Sequence, residues 1–179
     1  MEMIDVLDSQ GKITGEAKSR ESIHTDGDWH RTIHVWFITP HGQLLIQRRS
    51  KTKINCPNMW DISVGGHVPA GEDSMRAALR EVEEEMGLKL AKADLKLIGY
   101  ATQQGVLNDG TYINNEYNDV YLVEKMIDPA KLKIQTSEVA EVRLIPWEEF
   151  RDWVEQEKAD VVPHPDEYKL IFDYLEKNY

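Results

Sequence analysis

Cysteine is almost missing from this sequence. Cys56 stands alone, which rules out an intrachain disulfide framework and agrees with a reducing compartment. Long apolar runs are missing too: residues 35–38 and 44–46 fall far short of the roughly 20 residues that a membrane span needs. The N-terminal MEMIDVLDSQ is acidic and lacks the basic start of a secretory signal, so a cytoplasmic protein without a membrane partner is expected. Positive charge is scarce as well. With 21 Lys and Arg against 32 Asp and Glu, the net charge is −11, and the basic surface that displaces counterions from a nucleic acid polymer is lacking. A small phosphorylated ligand remains compatible if divalent cations stand between its phosphates and the protein's carboxylates.

What is present suits one globular domain with a real core: 179 residues, 41% of them hydrophobic, with no repeat and no low-complexity run. Residues 3–16 read as a hairpin turning at Asp8–Gly11, and residues 19–29 as a polar loop. β-Branched and aromatic residues over 32–39, a Pro40-His41-Gly42 turn and the segment 43–48 predict a second hairpin. A loop over 51–58 leads to a short strand, 60–64, that runs into Gly65-Gly66. Apolar residues at 75, 78, 79, 82 and 86 predict an amphipathic helix over 73–86, started by Asp73 or Ser74 and ended by Gly87. Strands follow at 95–102, 116–125 and 138–145, the first two joined through a loop at 106–110. A helix from Pro146 to about Glu157 and another over 165–177, with Tyr168, Ile171, Phe172 and Leu175 on one face, complete a mixed α/β domain.

The predicted helix concentrates repulsion. Glu84 and Glu85 lie about 60° and 40° to either side of Glu81 on a helical wheel, so the three share one side while Glu83 lies elsewhere. Like charges at these spacings cost a few tenths of a kcal/mol per pair, and Arg76 and Arg80 are the nearby cations. Taken alone, such a stretch is most simply a solvated acidic face. The preceding loop, Gly65-Gly66-His67-Val68-Pro69-Ala70-Gly71-Glu72, shifts that balance, because glycines let backbone carbonyls and amides approach an ion or a phosphate. Several carboxylates with a loop carbonyl suit Mg2+ or Mn2+.

Gly66, Glu72, Arg80-Glu81-Val82, Glu84-Glu85 and Gly87-Leu88 match, at their spacing, the Nudix box of the Nudix hydrolases, which this segment therefore resembles. The resemblance implies an α/β/α sandwich with a mixed sheet. It implies Glu84 and Glu85 as principal metal ligands, the Gly65 carbonyl as a backbone ligand, and Glu81 as either a ligand or the base that activates water. Arg80 and Glu72 would orient these carboxylates, their plainer roles being a helix ion pair and a first-turn acid. The implied chemistry is attack of water on a phosphorus of an organic diphosphate, with Mg2+ or Mn2+ as cofactor and a nucleoside diphosphate derivative as the broad family default. A ligand-binding module that keeps the fold without turnover is disfavoured by the intact Glu81, Glu84 and Glu85.

Residues 24–124 also resemble a divergent branch of the same superfamily, type I isopentenyl diphosphate isomerase. The shared segments are IHTDGDWHR, QLLIQRRSKTKINCPNMWD, the Gly-His pair at 66–67 and INNEYNDVYLV. That resemblance implies His24, His30, His67 and Glu116 as a second metal set, with Asn114 where the isomerase has another glutamate. The alternative is that His24 and His30 are loop residues bound to backbone. Gly65 stands where the isomerase has its catalytic cysteine, so a hydrolase on an isomerase-like frame is expected, with isomerisation as the alternative and a prenyl diphosphate kept open as substrate. Glu116 is implied either to complete the hydrolytic metal site or to act as its base. Arg48 and Arg49 end a strand, where either suits phosphate, and Trp29, Trp36, Trp60, Tyr100 and Tyr121 are candidates for core or for stacking on a base. His34, in an alternating strand, reads as structural. Homodimers are common in the family, and no stripe of this sequence decides the matter.

Overall fold

A computed structural model describes residues 2–158 and 160–179. The N-terminal hairpin pairs β1 (Met3–Leu7) with β2 (Ile13–Ser19) around the expected turn, where the Asp8 carboxylate accepts from the amides of Gln10 and Lys12. Residues 19–29, read above as a loop, instead hold a helix, α1 (Arg20–Asp26). Ser19 caps it through the Ser22 amide, and Gly27 closes it at φ 74. Its composition is polar because only Ile23 and His24 face inward, too few for a helical period to show.

The main sheet is mixed, and its strands run in the order β5 (Trp60–Asp61), β4 (Gln43–Arg49), β3 (His30–Ile38), β8 (Tyr112–Glu124), β7 (Lys96–Leu107). β3 (His30–Ile38) and β4 (Gln43–Arg49) form the predicted hairpin, and β3 pairs in parallel with β8 (Tyr112–Glu124). The single strand expected over 60–64 is two pieces, β5 (Trp60–Asp61) on β4 and β6 (Val64–His67) on β3. The chain changes partner between them: Asp61 accepts from the Ile62 amide, and Ser63 bridges the Phe37 amide to the Leu45 carbonyl. β7 (Lys96–Leu107) and β8 form a much longer hairpin than the sequence suggests, because polar residues on both faces of its outer half conceal the period of two. β9 (Val139–Pro146) pairs with β4.

Helices cover both faces. On one lies α2 (Ser74–Met86), capped by the Asp73 carboxylate on the Arg76 amide and ended by Gly87 at φ 67. Its Ala77, Ala78, Val82 and Met86 pack on Ile33, Val35, Phe37 and Tyr121. On the other face, α3 (Trp147–Glu155) and α4 (Pro165–Asn178) bury Phe150, Tyr168, Ile171 and Leu175 against Trp36, Ile38 and Val120. Each fully buried large side chain contributes about 1.5–3 kcal/mol, so the α/β/α sandwich is held from both sides of β3 and β8. Trp36, Trp60 and Tyr121 belong to these cores, Trp29 leans on Tyr117, and Tyr100 is exposed. No helix among the described residues is long and apolar enough to cross a membrane.

Candidate active site

β6 places two glycines between two polar faces. In register with His34 and Ile33 on β3, Gly65 and Gly66 point to opposite sides of the strand. A Cβ on Gly66 would stand 2.4 Å from Cδ and 2.6 Å from Oε1 of Glu81 on α2, so the carboxylate fills the space a side chain would take. Glycine is required here for close approach, with no left-handed turn involved.

Arg80, and not Arg76, ties the acidic residues together. Its Nη1 donates to Glu81 at 2.7 Å and to Glu84 at 3.4 Å, while Nη2 reaches Glu72 and the His67 carbonyl, each at 3.4 Å. Glu84 remains half in water, and Glu83 points away to Lys89 at 3.2 Å. Glu85 is only 4% exposed and receives one long contact, 3.4 Å from Gln47 Nε2. Burial, reinforced by the nearby Glu81 charge, pushes its pKa up to about 8, and burial also raises that of Glu81. The three carboxylates do not gather their oxygens within 4.8 Å of one another. Even so, a buried carboxylate without a cation, beside Gln47 Oε1, which has no hydrogen-bond partner, forms an oxygen-rich donor set that a hard divalent cation fits.

That shift has a measurable consequence. Between the unfolded carboxyl value and about 8, the native metal-free chain holds a proton on Glu85 that the unfolded chain has released, so stability falls as pH rises through this range. His24, whose pKa burial lowers to about 4, acts in the opposite direction below pH 6.5. The net fall therefore emerges between pH 6.5 and 8, where it amounts to about 2 kcal/mol at about 1.4 kcal/mol per pH unit. Chemical denaturation of the metal-free protein at the two pH values checks this, and Glu85→Gln should show a smaller decline. The remainder comes from His34, whose pKa burial lowers but Glu167 raises by more, so that it also loses stabilisation as pH rises.

At the other end of β6 a second cluster closes. His24 from α1, His30 at the start of β3 and His67 at the end of β6 bring their ring nitrogens within 4.8 Å of one another. His24 Nε2 and His67 Nε2 are 3.1 Å apart, and Tyr112 stacks on His24 at 4.0 Å. Burial lowers the pKa of both His24 and His67, keeping these rings neutral with lone pairs available. Glu116, opposite His30 in the β3–β8 register, lies 3.6 Å from His30 Nε2. Burial opposes its ionisation, yet His30 outweighs this and holds its pKa at about 2. His30 Nε2 and Asn114 Oδ1 are both buried without a hydrogen-bond partner, which suits donors awaiting a cation. His24 and His30 do bind backbone, through the Ile113 and Asp28 carbonyls, but each only with Nδ1.

Arg48 is turned toward the Trp60 ring at 5.7 Å and donates to the Asn58 carbonyl. Arg49 lies inward, its Nη1 on Asp61 at 2.8 Å and its other nitrogens on the Asn55 carbonyl. Neither guanidinium pairs with a helix carboxylate, although Arg49 is near enough for its charge to interact with that of Glu85. Cys56, half-buried in a loop, has a thiol that burial pushes up in pKa. The sequence reading missed Asp61, His164 and Glu167, which form a buried network with His34. Glu167 carried one signal: it lies four residues before Ile171, an acid on the apolar stripe of α4.

The α/β/α fold, with a glycine strand packed against an acidic helix, is shared with a family of hydrolases that act on diphosphate bonds. A model of the NUDIX domain matches residues 28–165, and the chain belongs to the Nudix hydrolase family, whose enzymes generally need divalent metal ions. It is 44% identical to Nudix hydrolase 3 of Arabidopsis thaliana over 180 residues, covering 97% of this chain but 23% of that protein. It is also 30% identical over 121 residues to the isopentenyl-diphosphate Delta-isomerase of Serratia proteamaculans, covering 68% of this chain and 65% of that one. The crystal structure of DR0079 from Deinococcus radiodurans shares the fold with a TM-score of 0.71, at 19% identity over 99% of both chains.

Proposed function

We propose that this chain is a Mg2+- or Mn2+-dependent pyrophosphohydrolase that cleaves the diphosphate linkage of a nucleoside diphosphate derivative or a related small organic diphosphate. The observation that carries the reading is Glu85, a buried carboxylate with no cationic partner, beside Glu81 and the glycine strand. Glu84, Glu85 and the Gly65 carbonyl would hold the metal, with Glu81 as a further ligand or as the base. A divalent cation bound there polarises phosphoryl oxygens and offsets the charge that develops as water attacks phosphorus. Arg80 keeps Glu81 and Glu84 in place and ties Glu72 to the loop, so the carboxylates are fixed before substrate arrives. Gly66 keeps Glu81 against the strand. The low-dielectric setting of Glu85 strengthens its hold on a cation and couples that hold to loss of its proton. A cytoplasmic location fits the nearly cysteine-free composition.

His24, His30, His67 and Glu116 form a proposed second metal site, and Asn114, two residues before Glu116 on β8 and therefore on the same face of the strand, is a further candidate. The two buried atoms without partners support it. Its nitrogen donors favour a transition-metal ion over Mg2+. Dialysed wild-type protein should retain about one equivalent of Mn2+ by elemental analysis, and His67→Asn should lose it with Glu85-dependent Mg2+ binding intact, a test resting on one ion per site. Equal Mn2+ content in both proteins would leave the histidines as a hydrogen-bonded cluster.

The substrate is sought by incubating the protein with nucleoside di- and triphosphates, dinucleoside polyphosphates, nucleotide sugars, CoA, thiamine diphosphate and isopentenyl diphosphate, reading products by mass spectrometry. Metal-dependent release of phosphate or nucleotide is expected. The 30% identity to an isomerase keeps a prenyl diphosphate among the candidates. Conversion of isopentenyl to dimethylallyl diphosphate without hydrolysis would favour the isomerase alternative over the reading of Gly65.

A further inference from the structure

β4 brings an uncharged polar side chain to the carboxylate site from outside both the helix and the glycine loop. Leu45 belongs to the same core as Ala77 and Val82 of α2, and Gln47, two residues on, points to the same side of the strand. The strand is flanked there by Asp61 of β5 and Val142 of β9, which hold its backbone in place. Gln47 is 5% exposed, and its Nε2 donates to Glu85 Oε2 at 3.4 Å. Oε1 of the same amide is buried and has no hydrogen-bond partner among the described residues. Both atoms sit on one carbon, so an unpaired acceptor lies beside the most deeply buried carboxylate of α2.

Which end of the amide faces Glu85 follows from charge. A carboxylate that holds a cation is ionised and can only accept, so the N–H end of Gln47 must turn to it and the oxygen is left free. Buried oxygens are ordinarily paired, and one without a partner costs stability. A cation bound by Glu85 would satisfy this one. An amide also suits the place better than a further carboxylate would: Glu81, Glu84 and Glu85 already repel one another, whereas the amide adds a hard oxygen donor without adding charge.

We propose that Gln47 is a further ligand of the hydrolytic metal site, its Oε1 binding the cation that Glu85 holds while its Nε2 keeps Glu85 in place. This rests on the metal-dependent reading above. It extends the site beyond the helix and the loop to β4, and it makes a neutral oxygen part of what favours Mg2+ and Mn2+ over softer ions.

The test uses the full chain with 13C-labelled glutamine side chains, held above pH 8 so that Glu85 is largely ionised with or without metal. The Gln47 Cδ resonance, assigned through its own backbone, should move downfield as Mg2+ saturates the site, because a bound cation polarises the amide carbonyl. Gln47→Met, made in a chain that also carries Cys56→Ser and His67→Asn to remove competing soft donors, should bind Mg2+ about tenfold more weakly by calorimetry while its Cd2+ affinity holds or rises. Loss of the Nε2 contact to Glu85 alone would weaken both ions alike, so an equal loss would overturn the inference. A Gln47 Cδ unmoved in wild-type protein that binds Mg2+ would also overturn it, leave the hydrolase reading standing, and decide the matter even if the variant folds poorly. Wild-type protein that binds no Mg2+ at all would remove the two together.

Discussion

Glu85→Gln should lower metal-dependent diphosphate hydrolysis by about a thousandfold, the scale reported for removing one strong electrostatic stabiliser from an active site. Glutamine keeps the shape and the contact to Gln47 but cannot carry the charge that a divalent cation needs. The fold should survive, and at pH 8 the metal-free variant should be the more stable protein, because a buried carboxylate with a pKa near 8 has been replaced by a neutral amide. Steady-state rates at saturating Mg2+, set beside thermal melts with and without metal, read both effects. Turnover within tenfold of wild type would remove Glu85 from the site.

Gly66→Ala should be nearly as damaging, about a hundredfold, although it adds only one methyl to a strand well before Glu81 in sequence. That methyl would fall 2.4 Å from Cδ of Glu81, and no real contact is that short. The backbone of β6 is held by pairing with β3, so the Glu81 side chain must yield. In yielding it leaves its 2.7 Å contact with Arg80, which also holds Glu84 and Glu72. A side chain moves at far lower cost than a sheet, so loss of activity should exceed loss of stability. Gly65→Ala serves as a comparison: its methyl would meet Ile62 and His34 on the other face at 3.2 and 3.3 Å and leave Glu81 alone. If Gly66→Ala kept wild-type rates, the close packing of Glu81 on the strand would have no part in catalysis.

Much of the candidate site was legible because it is local. Gly66, Glu72, Arg80, Glu81, Glu84 and Glu85 lie within two turns of helix and one loop, where spacing alone determines which side chains share a side. The helix itself was readable from Asp73 to Gly87 for the same reason. α1 was not, since a seven-residue helix with two inward residues leaves no period to count. Nor was the break between β5 and β6, which depends on a change of partner strand and not on composition.

The amino-acid sequence by itself determined the family, the carboxylate helix with its glycine loop, and the exclusion of an intrachain disulfide and of long apolar runs. Tertiary structure alone decided which distant polar residues meet. Glu167 reaches His34 across 133 residues and His164 reaches Asp61 across 103, and only the packing of α4 and its N-terminal cap on the sheet brings either pair together. It also decided which charges are costly: Glu84 and Glu85 are neighbours in sequence, yet one stays in water and the other is buried with its pKa raised to about 8. Spacing sets the direction of a side chain on its own element, while its dielectric surroundings depend on what the rest of the chain places over it.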